Sequence, residues 1–368
     1  MTRFPYVSSW GGEESHTLTL AKHFREKGYE VIFMGSCRIL LEKFKELGFL
    51  TRKVWGGKMM VTPWEMLKSF FIFPFIRRSM RSRFEHLCRQ YEVKALYCLS
   101  LNEKLFLSPL AVQKGIPVTW VEHQEIRNWL SKNWWKSRYQ NNAQDVMIVP
   151  ISKNNEHKLK NELQISSVRI KEIVNGVNLK ELLQLKRKTK KGFILAANRM
   201  IPKKGLMDLL EAANDLTVEK KNLQFTLLGE GEEEEKIKQF ARKHFTKKQI
   251  TIEHFLEKEN WFNLLLQADI YVSCARDSNE TFSLSTAEAM AAGCKVVVTK
   301  CSGIADYLVD STEAFLAKGG EPEDLKKKIL KALSSSEQVR TNARRAAQEK
   351  FDQKRMLAEY ESLILREV

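Results

Sequence analysis

From Phe193 to Thr299 the chain repeats one pattern: a short apolar run, a turn, then a longer stretch with apolar residues at helical spacing. The runs are FILAAN, LQFTLLG, ITIEHF, DIYVSC and KVVVT. Between them lie KGLMDLLEAANDL, EEEKIKQFARKHF, NWFNLLLQA and a small-residue helix ending at Gly293. Nearly continuous apolar runs separated by helices read as parallel strands buried on both faces, which excludes a helical bundle and an antiparallel sandwich. The first half carries the same signal. SHTLTLAKHFREKGYEVIFMG predicts an amphipathic helix with Leu18, Ala21 and Phe24 on one face, a stop at Gly28 and a strand over Glu30–Met34. Further strands are predicted at Ala95–Leu99, Pro117–Val121, Val146–Pro150 and Ile170–Val174. The fold class is therefore α/β. At 368 residues the chain suits two domains. The lysine-rich KELLQLKRKTKKG, Lys180–Gly192, has the composition of a linker or a solvated helix end. Domains over residues 1–180 and 181–349 follow, with a cleft expected between two such halves.

Charge is unevenly distributed. Residues 1–180 hold 29 Lys and Arg against 16 Asp and Glu, whereas the remainder is nearly balanced. Residues 51–100 alone carry ten basic residues against three acidic ones, interleaved with Phe, Trp and Met, so an anionic surface should face this half. A basic nucleic-acid-binding protein is one reading of that charge, but no recognition motif accompanies it, and no nucleic-acid partner is expected. The most apolar segment, LKSFFIFPF at Leu67–Phe75, is half the length of a membrane span, contains Pro74 and runs into Arg77 and Arg78. It reads as a segment that lies on a membrane. MTRFPYVSSW lacks the apolar core of a secretory signal, which favours the cytoplasm, and leaves room for a short or truncated first strand. Cys37, Cys88, Cys98, Cys274, Cys294 and Cys301 form no C-x-x-C pair and no metal-ligand spacing, so they read as reduced core residues.

Four segments carry residues suited to a diphosphate and a sugar. GGEES, Gly11–Ser15, places Gly11 and Gly12 before a helix; this is either a tight turn or a place where backbone amides approach a phosphate closely. AANRMIPKKGL, Ala196–Leu206, brings Arg199 and Lys204 to the end of a strand, as a solvated basic turn or as cations set against diphosphate charge. LLGEGE, Leu227–Glu232, lacks the third glycine and the ribose-binding acid of a dinucleotide fingerprint; it is a turn near which a base could pack. The sharpest is ETFSLSTAEAMAAGCKVVV. Glu280 precedes a helix, the amides of Phe282 and Ser283 open it, and Glu288 lies two turns on. The small apolar residues around Glu288 argue that it needs a partner, because a buried lone carboxylate is costly. EGEEEEK, Glu230–Lys236, reads as an acidic helix start rather than a metal site.

GGEES, WVEH at Trp120–His123, IVNGVN at Ile173–Asn178, NRMIPKKG at Asn198–Gly205 and ETFSLSTAEAMAAGCKVVV stand in an order that resembles the retaining GT-B glycosyltransferases of family 4, the glycosyl transferases group 1, over nearly the whole chain. The resemblance implies two Rossmann-like domains facing a cleft, with a C-terminal helix of about residues 350–368 packing back on the first. It implies Arg199 and Lys204 on the donor diphosphate, Glu288 on the ribose, Glu280 on the transferred sugar, Phe282 and Ser283 as amide donors, and His123 beside the sugar. It also implies no metal, no covalent intermediate and no cofactor beyond the nucleotide-diphosphate sugar, whose leaving phosphate assists deprotonation of the acceptor. Asn198, Thr281 and Ser283 stand where the family often has glycine, and would narrow the sugar pocket.

In this family the first domain takes the acceptor. The aromatic and basic stretches Leu67–Arg89 and NWLSKNWWKSRY, Asn128–Tyr139, suit an anionic membrane interface, or equally a solvated basic face with ordinary core aromatics. The expected partners are a nucleotide sugar and a saccharide or lipid-linked acceptor, with peripheral membrane contact, in envelope polysaccharide or glycolipid synthesis. The enzymatic alternative is a nucleotide-sugar epimerase or hydrolase of the same fold.

Overall fold

A computed structural model of the chain describes residues 1–3, 11–56, 62–126, 128–220, 222–277 and 280–365, without the side chains of residues 128 and 129. Most of the expected first strand, Phe4–Trp10, lies outside the described residues. The chain forms two compact units. One comprises Met1–Val174 with Leu357–Val368, the other Asn175–Met356.

The first unit contains β1 (Thr2–Arg3), β2 (Ile32–Gly35), β3 (Leu50–Lys53), β4 (Leu96–Cys98), β5 (Val118–Glu122) and β6 (Met147–Pro150). They form one parallel sheet in the order β3-β2-β1-β4-β5-β6. Phe84, Leu96, Trp120 and Ile148 are among its core residues. β3 was not foreseen: LTRK offers one apolar residue in four, and its place follows from pairing with β2. The strand predicted over Ile170–Val174 is corrected to an isolated bridge, Ile148 to Ile170. The Lys171 and Ile173 amides do donate to Ile148 O (3.0 Å) and Pro150 O (3.2 Å). The return bond from position 150 cannot form, because Pro150 has no N–H, and the ladder stops.

The longest helix, Pro63–Gln90, has 28 residues and runs through Pro74. A capping box starts it. The Glu65 amide donates to Thr62 Oγ1 (3.3 Å) and the Thr62 amide to Glu65 Oε2 (3.2 Å), with Pro63 in the first turn. Among the described residues, no helix is long and apolar enough to cross a membrane. The last helix, Gln353–Leu365, belongs to the first unit from Leu357 onward, and there Tyr360 is buried against His16, with ring centroids 5.2 Å apart.

The second unit contains β7 (Phe193–Ala197), β8 (Gln224–Leu228), β9 (Ile250–Glu253), β10 (Ile270–Ser273), β11 (Lys295–Thr299) and β12 (Phe315–Ala317), all parallel, in the order β12-β11-β10-β7-β8-β9. Helices such as Leu206–Glu219 and Pro322–Ser334 bury their apolar faces in its core. Lys180–Gln184, in the expected linker, is a short helix. In each sheet the order reverses at the middle, between β1 and β4 and between β7 and β10. Chain connections diverge there, and it is outside the carboxyl ends of the strands at such a point that open α/β sheets generally take their ligands.

Candidate functional site

In the second unit, β7 ends at Ala197 and its neighbour β10 at Ser273. The segment leaving β7 carries Arg199 and then a single turn, Pro202–Lys204. Gly205 follows at φ +66°, where a Cβ would lie 2.0 Å from Cys274 O, so only glycine lets this loop rest on the end of β10. The loop is also pinned by hydrogen bonds: the Arg276 amide donates to Lys203 O (2.9 Å) and Cys274 Sγ to Lys204 O (3.3 Å). Arg276 is itself held by Asp208, with Nε donating to Oδ2 at 2.7 Å.

These restraints deliver Lys204 to Glu280. Lys204 Nζ lies 2.6 Å from Glu280 Oε1, while Ser273 and Ser302 donate to Oε2 at 3.1 and 2.8 Å. The Gly303 amide donates to the Glu280 carbonyl at 2.7 Å, and a Cβ on Gly303 would meet Thr281 O at 2.0 Å, so the turn at Ser302 sits directly against the Glu280 loop. Burial opposes the charge on Glu280. The Lys204 ammonium and the hydrogen bonds outweigh it and hold the carboxyl below its ordinary value. Glu280 is thus a buried, ionised acceptor rather than the solvated carboxylate of an open loop.

Glu288 lies on the helix Leu284–Ala291, half-buried, and its Oε2 accepts from Trp261 Nε1 at 2.8 Å. Burial raises its pKa, against the pull of Trp261 and of the Lys258 charge. The helix is capped by Ser283, whose Oγ accepts from the Thr286 amide (3.3 Å). Fully buried Tyr271 ties its first turn to β7, donating to Ser285 Oγ at 2.8 Å and lying 3.2 Å from Ala197 O. Phe282 turns its ring edge-on to Phe351, with centroids 5.4 Å apart. The LLGEGE turn packs against the Arg199 segment, since the Met200 amide donates to Glu230 O and the Glu233 amide to Met200 O, both at 2.8 Å. Arg199 is exposed, and its side chain forms no ion pair with a described residue.

Three of the four motifs thus meet at the carboxyl end of one sheet, bringing Arg199, Lys204, Glu280, Phe282 and Ser283 onto adjoining loops and Glu288 onto the helix that follows them. Sequence reasoning missed Ser273, Ser302, Trp261 and Tyr271. Ser302 and Trp261 stand 22 and 27 residues from the carboxylates they serve, in no recurring pattern.

Gly11, Gly12 and His123 lie in the first unit. Gly11 is the exposed, extended N-cap of the helix Gly12–Glu26. That helix carries His16 to His123, which follows β5, with ring centroids 4.6 Å apart. Burial drives the His16 pKa down to about 3 and that of His123 well below the usual histidine value, so both rings are neutral. Beside them are two buried ionic groups. Arg3 Nη1 contacts Glu14 Oε1 at 2.6 Å and Glu13 Oε1 at 2.9 Å, and Lys104 Nζ and Tyr139 Oη both donate to Glu122 Oε1 at 2.7 Å.

Residues 180–350 match the family model described as Glycosyl transferases group 1. An uncharacterized glycosyltransferase, MJ1178, of Methanocaldococcus jannaschii is 26% identical over 197 residues, 53% of this chain and 51% of that protein. The chain spans about half the length of the curated relatives it matches. Among solved structures, a glycosyltransferase from Rickettsia africae ESF-5 superposes with a TM-score of 0.81 at 17% identity, covering 100% of this chain and 97% of that one. Anabaena Alr3699/HepE, solved with UDP and glucose, gives 0.70 at 14% identity, covering 97% of each chain. The fold, α/β with two six-stranded parallel sheets, is that of GT-B glycosyltransferase structures.

Proposed function

We propose that this chain is a retaining, metal-independent glycosyltransferase that moves a sugar from a nucleotide-diphosphate donor to a saccharide or lipid-linked acceptor in envelope polysaccharide or glycolipid synthesis. The observation that carries the reading is the Lys204–Glu280 pair at the switch point of the second sheet, beside exposed Arg199 and within the segment that matches the group 1 model. Lys204 has three N–H groups and spends one on Glu280, leaving two for phosphate oxygens; Arg199 adds a planar fork. Both cations are worth most as negative charge grows on the departing diphosphate. Glu280, ionised and buried, accepts hydroxyls of the transferred sugar. Glu288, fixed by Trp261, accepts those of the ribose. The leaving phosphate assists deprotonation of the acceptor on the same face of the sugar, which retains the anomeric configuration.

The presence of UDP in the HepE structure makes UDP-sugars the first donors to try, followed by GDP- and ADP-sugars. A donor that binds only the folded state raises Tm. One of these should stabilise the wild type, and Lys204→Ala and Glu288→Ala should each abolish the shift. Full shifts in both variants would remove the proposed site. Product formed from donor alone, with no acceptor, would replace transfer by epimerisation or hydrolysis.

A further inference from the structure

The helix Pro63–Gln90 has two apolar stripes on opposite sides. Met66, Ser69, Phe73, Ile76, Met80, Phe84 and Leu87 recur at three- and four-residue steps and face the core of the first unit. Trp64, Leu67, Phe71 and Phe75 recur at the same steps, about half a turn away, and face out. Phe71 is 78% exposed, Phe75 68% and Trp64 63%. One buried stripe suffices to fold such a helix. A second, aromatic and uncovered, costs solvation and demands an occupant.

A second segment converges on this surface. Trp135 stacks on Phe73 with centroids 4.6 Å apart and donates from Nε1 to Ser69 Oγ at 3.1 Å. Neighbouring Trp134, exposed, lies 5.8 Å from Phe70, itself half-exposed. The two aromatic and basic stretches therefore form one patch. Its charge is single-signed: from Met66 to Phe84 there are five Lys and Arg and no Asp or Glu. Lys68 Nζ stands 4.9 Å over the exposed Trp64 ring, and Arg77, Arg78 and Lys132 are exposed.

We propose that this face of the first unit seats the protein on an anionic bilayer, with Trp64, Leu67, Phe71 and Phe75 entering the interface and Lys68, Arg77 and Arg78 meeting lipid phosphates. Charge complementarity selects this occupant. A second copy of the chain would oppose the same cations to one another, and a nucleic-acid duplex, whose bases are already stacked on each other, would leave the phenyl rings at the centre of the patch unpaired. Aromatic rings flanked by cations fit the boundary between acyl chains and headgroups.

The test is flotation of the full chain with phosphatidylcholine vesicles, with and without phosphatidylglycerol. Binding should require the anionic lipid and weaken with added sodium chloride. Phe71→Glu with Phe75→Glu should lower partition on the order of a hundredfold, and Arg77→Gln and Arg78→Gln about fivefold each, with Tm unchanged because all four side chains are exposed. Failure of the wild type to float with anionic vesicles, or flotation of the double Glu variant at the wild-type level, would overturn the proposal. So would a dimer in sedimentation that the double variant abolishes while no vesicles bind, or RNA binding at the same residues in place of vesicles. None of these readouts uses the sugar donor, so they stand or fall apart from the transferase reading.

Discussion

Lys204 Nζ and Glu280 Oε1, 76 residues apart in sequence, meet at 2.6 Å and join the loops that leave β7 and β10 where the second sheet reverses its strand order. Both side chains are largely out of water, so the contact is a structural element as well as a candidate binding device.

Removing one partner strands the other. Lys204→Met should cost roughly 3 kcal/mol of unfolding free energy, because it leaves a buried carboxylate with only two hydroxyl donors. Lys204→Met combined with Glu280→Gln should recover much of that loss. A double-mutant cycle in urea checks the coupling, and additive losses would show the pair to be energetically idle.

Arg199 has the opposite profile. Exposed and outside any described ion pair, it can be replaced by Ala with a stability change within about 0.5 kcal/mol. Transfer should nevertheless fall on the order of a hundredfold, the usual cost of one group that stabilises developing charge. Lys at this position should restore little, since an ammonium lacks the planar fork.

Gly205→Ala tests whether the donor loop depends on its tight turn. A Cβ would strike the Cys274 carbonyl at a left-handed backbone position. The variant should lose more than about 2 kcal/mol, well beyond the effect of the same change at an unconstrained site. It should also lose donor binding, measured by thermal shift.

The pH dependence of His16 has a definite sign. Its folded pKa of about 3 lies below the unfolded value of 6.5, so as pH falls below 6.5 the unfolded chain takes a proton that the folded chain refuses. His16 therefore withdraws stability progressively between pH 6.5 and about 3, at up to about 1.4 kcal/mol per pH unit. His16→Gln, which cannot ionise, should gain on the wild type across that window and show no such gain above pH 7. Unfolding midpoints at several pH values decide it.

How much of this was legible in the sequence depended on whether a residue's role was local. Arg199, Lys204, Glu280 and Ser283 sit in strand–turn–helix punctuation that any βα unit must display, and the structure puts them on such turns. Trp261, Ser273 and Ser302 act only through tertiary approach, and no spacing announces them. The same division holds for strands. KVVVT declares itself by composition, whereas LTRK is a strand only because β2 lies beside it, and Ile170–Val174 fails to become one because of the missing N–H at Pro150. The helix Pro63–Gln90 was visible as an apolar and basic stretch, but that its two apolar stripes face opposite ways required knowing which side the core claimed.

The chain enters the first unit, leaves it at Val174, and comes back only at Leu357. A ribosome therefore synthesises every residue of the second unit before the stretch bearing Tyr360, which covers His16, has even been made. The earlier-begun body is the later-finished one. Its histidine pair must wait, incompletely enclosed, until the whole of the second unit has been made.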